Sequence, residues 1–302
     1  MTQGGTTQGG MTQGGMTQAR GLQLLLLAVV LFGGVWPVSL HALAHATPVW
    51  FATSRAALAA IASTLLLVAL RRLRLPRRAD WPAVLAVGCL QLAAFFLMTH
   101  LALPLVGAGR TAVLSNVTLM WLVPLSMLVL GEAVSPLRWA AVAVAMAGVL
   151  VMTGPWAFDW AAPGALAGHG LLLGSALAWS AAIIITRRFP PASPMVELLP
   201  WSFVIATILL GSAAMLREPG GGIGEGAWWQ AAFIGLIAAP IGTWAVIESG
   251  RHLNAVVASV GFLLVPVLAL GLATAWLGEP LGWDLVLGGV LIVVSIALAA
   301  RG

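Results

Sequence analysis

Read for its apolar and polar positions, the chain falls into ten apolar runs, each close to the roughly 20 residues a helix needs to cross the hydrocarbon core of a bilayer. They cover about 21–41, 48–70, 81–102, 107–130, 136–153, 165–186, 195–216, 228–250, 253–277 and 281–300. The breaks are short and hold Pro, Gly or Arg, as in "RRLRLPRRAD" and "REPGGGIGEG". None is long enough for a soluble domain. The pattern predicts an all-α integral membrane protein with ten transmembrane helices. Residues 1–20, "MTQGGTTQGGMTQGGMTQAR", form a Gly/Gln/Thr tract that cannot bury apolar surface, so a disordered cytoplasmic tail is expected there. Ala42-Leu43-Ala44 resembles a signal-peptide cleavage site, but the run from Gly21 to Leu40 exceeds the roughly 7–15 residues of a signal core. It is read as the first span.

Composition agrees: of 302 residues, 61% are hydrophobic and 8% charged, against about 25% charged in a soluble domain. All 14 basic residues are Arg, which excludes Schiff-base chemistry and a phosphate-loop lysine. These arginines are scattered between apolar runs rather than gathered on a solvated face. They read as topology signals, not as a nucleic-acid surface. With the N-terminus inside, Arg20, Arg71, Arg72, Arg74, Arg77, Arg78, Arg138, Arg187, Arg188, Arg251 and Arg301 face the cytoplasm, and only Arg110 and Arg217 face out. Both termini are therefore expected in the cytoplasm, with the chain in a bacterial inner membrane. A lone cysteine, Cys89, excludes an intrachain disulfide and a multi-cysteine metal site.

Near its end the chain reads "WLGEPLGWD" (Trp276–Asp284), and far upstream "LVLGEAVSPLRW" (Leu128–Trp139). Glu279 minus Glu132 is an offset of 147 residues. The same offset pairs Phe32 with Trp179, Trp81 with Trp228 and Gly88 with Gly235; with a one-residue slip, Pro48 meets Pro194 and Arg71 meets Arg217. The chain is thus two halves of five spans, 21–153 and 165–302, joined by an outer linker at 154–164. An odd number of spans turns the second half upside down in the membrane. Inverted repeats around a central cavity are the architecture of secondary transporters, whose sites lie near the midplane.

Here the residues resemble a family. "GFLLVPVLALGLATAWLGEPLGW", "TPVWFATSRAAL" and "RADWPAVLAVGCL" are similar to the ninth-, second- and third-helix patterns of EamA-type exporters of the drug/metabolite transporter superfamily. The resemblance covers residues 21–300. It implies a ten-helix basket with a central cavity and export of amino acids or other small metabolites, with no cofactor. It also implies a hinge at Pro266. The counterpart of that proline falls on Leu119, and Pro124 comes five residues later.

Candidate site residues follow from polar or aromatic groups placed at depth. Gln91 and Asn116, near the middles of the third and fourth spans, need internal partners: either they line a cavity and bond substrate, or they bond neighbouring helices. Gln91, Phe95 and Thr99 share a helical stripe, as do Asn116 and Met120. Nine tryptophans, Trp50, Trp81, Trp139, Trp156, Trp160, Trp228, Trp229, Trp276 and Trp283, fall at span ends and read as an interfacial belt. Trp36, Trp121, Trp179 and Trp244 lie deeper, where an indole packs as core or stacks on a ligand. The family resemblance implies that Trp179, in "AWS", lines the cavity. Arg55, about seven residues into the second span, either snorkels or holds a helix carbonyl, or it meets a substrate carboxylate; the repeat gives it no counterpart charge.

The carboxylates sit in turns or near span ends and leave none at the midplane, so strict proton coupling is not expected. His41, His45, His100 and His169 read as polar residues of the outer interface, with an external pH site as the alternative. The GxxxG pairs Gly164/Gly168 and Gly170/Gly174 predict close packing within the bundle, a dimer contact being the lesser reading. "GGGIGEG" lacks the Lys-Ser/Thr of a phosphate loop and reads as a flexible linker. An intramembrane enzyme would need HExxH, paired midplane aspartates or a Ser–His set, and no such spacing occurs. A sensor would need a signalling domain. The expectation is a monomeric secondary exporter of amino acids, aromatic or neutral ones first, acting by alternating access and facilitated diffusion. The alternative is an exporter of other small metabolites or drugs, proton-coupled or not.

Overall fold

The computed structural model describes residues 9–154, 156, 163–253, 261–262 and 264–301. Asp159, Trp160, most of the linker and residues 254–260 of the ninth span lie outside the described residues. The described chain is helical with one isolated bridge, Ala46 to Ile223. Among the described residues, eight helices are long and apolar enough to cross a membrane: Gln18–Ala42, Pro48–Ala69, Arg78–Val106, Ala108–Leu130, Pro136–Thr153, Ala165–Arg188, Met195–Arg217 and Glu225–Val246. Shorter apolar helices, Leu264–Leu277 and Trp283–Ala299, supply the ninth and tenth spans.

Local chemistry sets the ends. Proline opens the second and fifth helices at Pro48 and Pro136, where a missing N–H is harmless, and the Ser135 hydroxyl accepts from Arg138 N–H. Glycines with positive φ close the third, fourth and ninth spans at Gly107, Gly131 and Gly278. The first helix starts at Gly9, so part of the segment expected to be a disordered tail is helical; once a span has nucleated a helix, each added residue gains a bond without a new nucleation step.

The offset of 147 reappears in the geometry. A 3₁₀ turn at Arg78–Asp80 and a π-helical stretch starting at Ala86 interrupt the third span. The eighth span repeats them at Glu225–Ala227 and from Phe233. The Glu132 N–H bonds to the Ser126 carbonyl, and the Glu279 N–H to the Ala273 carbonyl. Both Leu-Gly-Glu turns are thus the same helix stop, with glycine in the left-handed region and a bond back across the last turn.

Packing follows the same two-fold relation. Spans two and seven pack on each other, as do four and nine, and five and ten. The first span lies against the eighth and ninth, and its counterpart, the sixth, lies against the third and fourth. Glycine permits the closest crossings. A Cβ on Gly88 would sit 3.0 Å from the Ser202 carbonyl oxygen, and one on Gly235 would sit 2.8 Å from that of Arg55. In the sixth span, Gly164 and Gly168 abut Leu105 and Val106, and Gly174 abuts Met98, while Gly170 faces open space.

Contacts between connecting segments sort them onto two ends. At one end Thr47 meets Gly222, His41 lies on Trp276, Glu279 reaches Ala108, and Gly164 abuts Leu105. These join the connections one-two, three-four, five-six, seven-eight and nine-ten. At the other end Asp80 meets Ala192, Glu132 pairs with Arg187, and Gly21 abuts Leu253. Connections therefore alternate between ends, and the second half enters inverted. Glu132 and Glu279 lie at opposite ends.

Candidate functional site

The first, third and sixth spans bring Trp36, Phe95 and Trp179 together. The Phe95 ring meets Trp179 edge-on, with centroids 4.8 Å apart, and Trp36 in a T-shaped contact at 6.3 Å. Trp36 and Phe95 are buried and Trp179 is half-buried. Phe95 stands just after the π-helical stretch Ala86–Ala94, and Gln91 lies inside that stretch. A π turn widens the helix by a residue and re-aims the side chains along it, a distortion frequent at functional sites. The Gln91 side chain is half-buried and has no hydrogen-bond partner among the described residues.

The fourth span is broken. Helix runs over Ala108–Leu114 and again over Thr118–Leu130, with Ser115, Asn116 and Val117 between. Asn116 is half-buried, and its amide donates to the Ala112 carbonyl at 2.6 Å. Met120, half-buried, follows in the first turn of the second piece. The Ser180 hydroxyl donates to the Thr118 carbonyl at 2.8 Å, so the break lies beside the residue that follows Trp179. Pro124 sits within the continuous helix Thr118–Leu130, and the interruption comes before it. No proline or glycine marks "LSNVT", so nothing in the pattern announced the break. Pro266 is buried near the start of the described ninth-span helix.

Trp244 is placed apart. It is 50% exposed on the helix Ala239–His252 and makes no ring contact with the Trp36–Phe95–Trp179 group. Trp121 spends its indole N–H on the Leu173 carbonyl at 3.1 Å, tying the fourth span to the sixth. The end-of-span tryptophans Trp81, Trp139, Trp156, Trp228, Trp229, Trp276 and Trp283 are exposed, as an interfacial belt requires.

Arg55 does not snorkel. It is 8% exposed and points into the core, with Nη1 3.2 Å from His100 Nε2 and the guanidinium carbon 4.3 Å above the Phe96 ring. His100 is fully buried and His169 nearly so, which corrects their placement as polar residues of the interface. A helical histidine can bond the carbonyl one turn back, and both do: Nδ1 lies 2.8 Å from the Phe96 carbonyl in one case and 2.8 Å from the Ala165 carbonyl in the other.

Three acidic side chains reach into the opposite half at or just before a helix start. Glu218 accepts from the N–H groups of Val49 and Trp50 at 3.0–3.2 Å. Glu279 accepts from Ala108 and Gly109 at 2.6 and 2.9 Å. Asp80 is buried and accepts from Ala192 and Ser193 N–H groups and the Ser193 hydroxyl. Free N–H groups and the helix dipole make each helix start a seat for negative charge. Arg110 and Asp284 add an ion pair at 2.5 Å beside the Glu279 contact. A surface cleft of about 490 Å³ at that end, lined by Leu43–Thr47 and Gly220–Gly224, includes none of the candidate residues. Among the described residues, no cluster of His, Cys, Asp or Glu could hold a metal.

Comparison with known proteins fits this architecture. The uncharacterized transporter YvbV of Bacillus subtilis (strain 168) is 26% identical over 288 residues, covering 92% of this chain and 91% of its own. A solved crystal structure shares the fold at a TM-score of 0.62 and 20% identity, covering 93% of this chain and 99% of that one. The EamA-like transporter family matches twice, over residues 19–154 and 166–301, one copy in each half. With a ten-span inverted bundle and two family repeats over most of its length, the chain belongs to the EamA-like transporter family.

Proposed function

We propose that this transporter exports amino acids, aromatic or neutral ones first, across the bacterial cytoplasmic membrane by alternating access between its two halves, with both termini in the cytoplasm. The observation behind this reading is the Trp36–Phe95–Trp179 ring group beside the unpartnered amide of Gln91 and the broken fourth span at Asn116. Flat apolar faces suit a bulky apolar side chain, and amides at depth suit the polar backbone atoms of an amino acid. Met120, four residues past Asn116 in the first turn of the following helix, offers a soft, adaptable wall. Support for downhill movement rather than obligatory proton exchange comes from the carboxylates: the buried ones among the described residues, Asp80 and Asp284, stand at helix ends and are held there by hydrogen bonds.

Reconstituted protein tests this with labelled amino acids, with and without a pH gradient. Flux should occur without the gradient. Trp179→Ala should lower flux of phenylalanine or tryptophan more than that of alanine or threonine. Stacking is worth about 0.5–1.5 kcal/mol beyond buried area, or roughly two- to tenfold. Equal losses for all four solutes at matched protein levels would assign Trp179 to packing alone, and absence of any amino-acid flux would remove the substrate class.

A further inference from the structure

We propose that the Arg55 guanidinium is the receptor for a carboxylate on the transported solute; this rests on the transport reading and names the chemical class of what is carried. Arg55 lies seven residues beyond Pro48, roughly 10 Å along the second helix at 1.5 Å per residue. Arginine stays protonated in proteins, so a full positive charge stands in a core of alanine, phenylalanine and tryptophan. Buried charges need an opposite charge or a full set of hydrogen bonds.

Neither requirement is met from within the described chain. His100 Nδ1 faces the Phe96 carbonyl, an acceptor, so Nδ1 carries the proton and Nε2 offers a lone pair to Arg55. That makes His100 a neutral acceptor for one N–H, and the Phe96 face adds a weak cation–π contact. No Asp or Glu among the described residues pairs with Arg55. Its other N–H groups have no described partner, yet none of its nitrogens is among the sealed, unpartnered polar atoms. A guanidinium fork with free donors matches a carboxylate in two parallel bonds.

Its surroundings fix the rest of the solute. The ring under Arg55, Phe96, touches Phe95 at 6.1 Å, and Phe95 touches Trp36 and Trp179. A cation at one end of a continuous aromatic group fits a small monocarboxylate with an apolar body. Among the described residues there is one such site. The repeat sets Trp201 against Arg55, and the Trp201 indole N–H is bonded to the Arg74 carbonyl at the end that holds the termini.

The test is protection of purified protein against heat by four probes at matched concentration: phenylalanine, 3-phenylpropionate, phenylalaninamide and phenethylamine. The two carboxylates should raise the melting midpoint and the other two should not. Arg55→Gln should lose the response, and Arg55→Lys, which keeps the charge without the fork, should keep a weaker one. Equal protection by all four probes, no protection by either carboxylate, or an undiminished response in Arg55→Gln overturns the proposal. Should Arg55→Gln fail to fold, the wild-type series and Arg55→Lys still decide, because a purely structural arginine would not make the response select carboxylate over amide. The assay reads binding alone. Carboxylate protection without amino-acid flux would leave the site standing and remove the export reading, and flux of phenethylamine equal to that of phenylalanine would do the reverse.

Discussion

The two Leu-Gly-Glu turns have the same backbone and different surroundings, so neutralising their glutamates should have unequal effects. In Glu279→Gln the side chain keeps its length and one carbonyl oxygen. The second oxygen, which faces an N–H at 2.6 or 2.9 Å, becomes an NH₂ that opposes a donor. Hydrogen bonds to a charged group are worth about 1.5–3 kcal/mol, and loss of a helix cap about 0.5–2 kcal/mol. Gly107, with φ at +83° and a would-be Cβ 2.9 Å from Glu279 Oε1, leaves the side chain little room to move aside. A loss of about 2 kcal/mol follows, which at about 2 °C per kcal/mol for a chain of this size is roughly 4 °C in melting midpoint.

Glu132→Gln is the control. Its described contact is an ion pair with Arg187, with side-chain exposures of 31% and 48%, and such pairs contribute about 0–1 kcal/mol. Its midpoint should fall by less than about 2 °C. Thermal unfolding of both variants in the same detergent, read by intrinsic tryptophan fluorescence, makes the comparison. Equal shifts would refute the capping argument. So would a larger shift for Glu132→Gln.

In a background lacking Cys89, cysteines placed beside Glu132 and Glu279 should label from opposite sides of the membrane; labelling of both from one side would break the inverted arrangement. Gly235→Ala should destabilise by about 1–3 kcal/mol through overpacking, and by more than Gly88→Ala, because its new methyl meets Leu58 Cβ at 2.5 Å as well as the Arg55 carbonyl; equal unfolding midpoints would contradict this. Asp284→Asn, which leaves Arg110 short of its carboxylate in a largely buried pair, should lower the midpoint more than Glu132→Gln does, and an unchanged midpoint would show the pair to be incidental.

The fold was legible because its causes are local and repeated. Twenty-residue apolar runs, opening prolines and closing glycines act within a few residues, and the offset of 147 links Glu132 to Glu279 in the sequence itself. The π-helical stretches were not legible. They coincide with close helix crossings at Gly88 and Gly235, a tertiary fact that leaves only two glycines in the sequence. The pairing of Arg55 with His100 joins residues 45 apart on different helices, and spacing along one helix says nothing about it. Asn116 stands out in its span for its polarity, but the break around it lacks the residues that usually mark one. The aromatic group was half legible: depth selected Trp36, Trp179 and Trp244 alike, and only packing separates Trp244 from the other two.

The distribution of negative charge explains why so few carboxylates serve so large a bundle. In a bilayer there is no water to satisfy the first N–H groups of a helix that begins below the interface, and each unsatisfied group costs several kcal/mol. Glu218 and Glu279 meet this need, each for a helix of the other half, the second and fourth spans respectively, and Asp80 binds the two N–H groups of the segment that leads into the seventh. Because the repeat is inverted, the connection that follows a span in one half arrives at the end where a span of the other half begins, so the exchange is a consequence of topology. It also stitches the halves together at both ends. A carrier that rocks one half against the other must loosen the bonds at one end while keeping those at the other. Glu218, Glu279 and the Arg110–Asp284 pair share one end, and Asp80 with Glu132–Arg187 the other. These are short-range, directional contacts, made or lost within a few tenths of a nanometre, so they favour two discrete arrangements over a continuous range. Charge is thus spent at the rims, where it couples the halves, and the centre is left to rings, amides and one arginine.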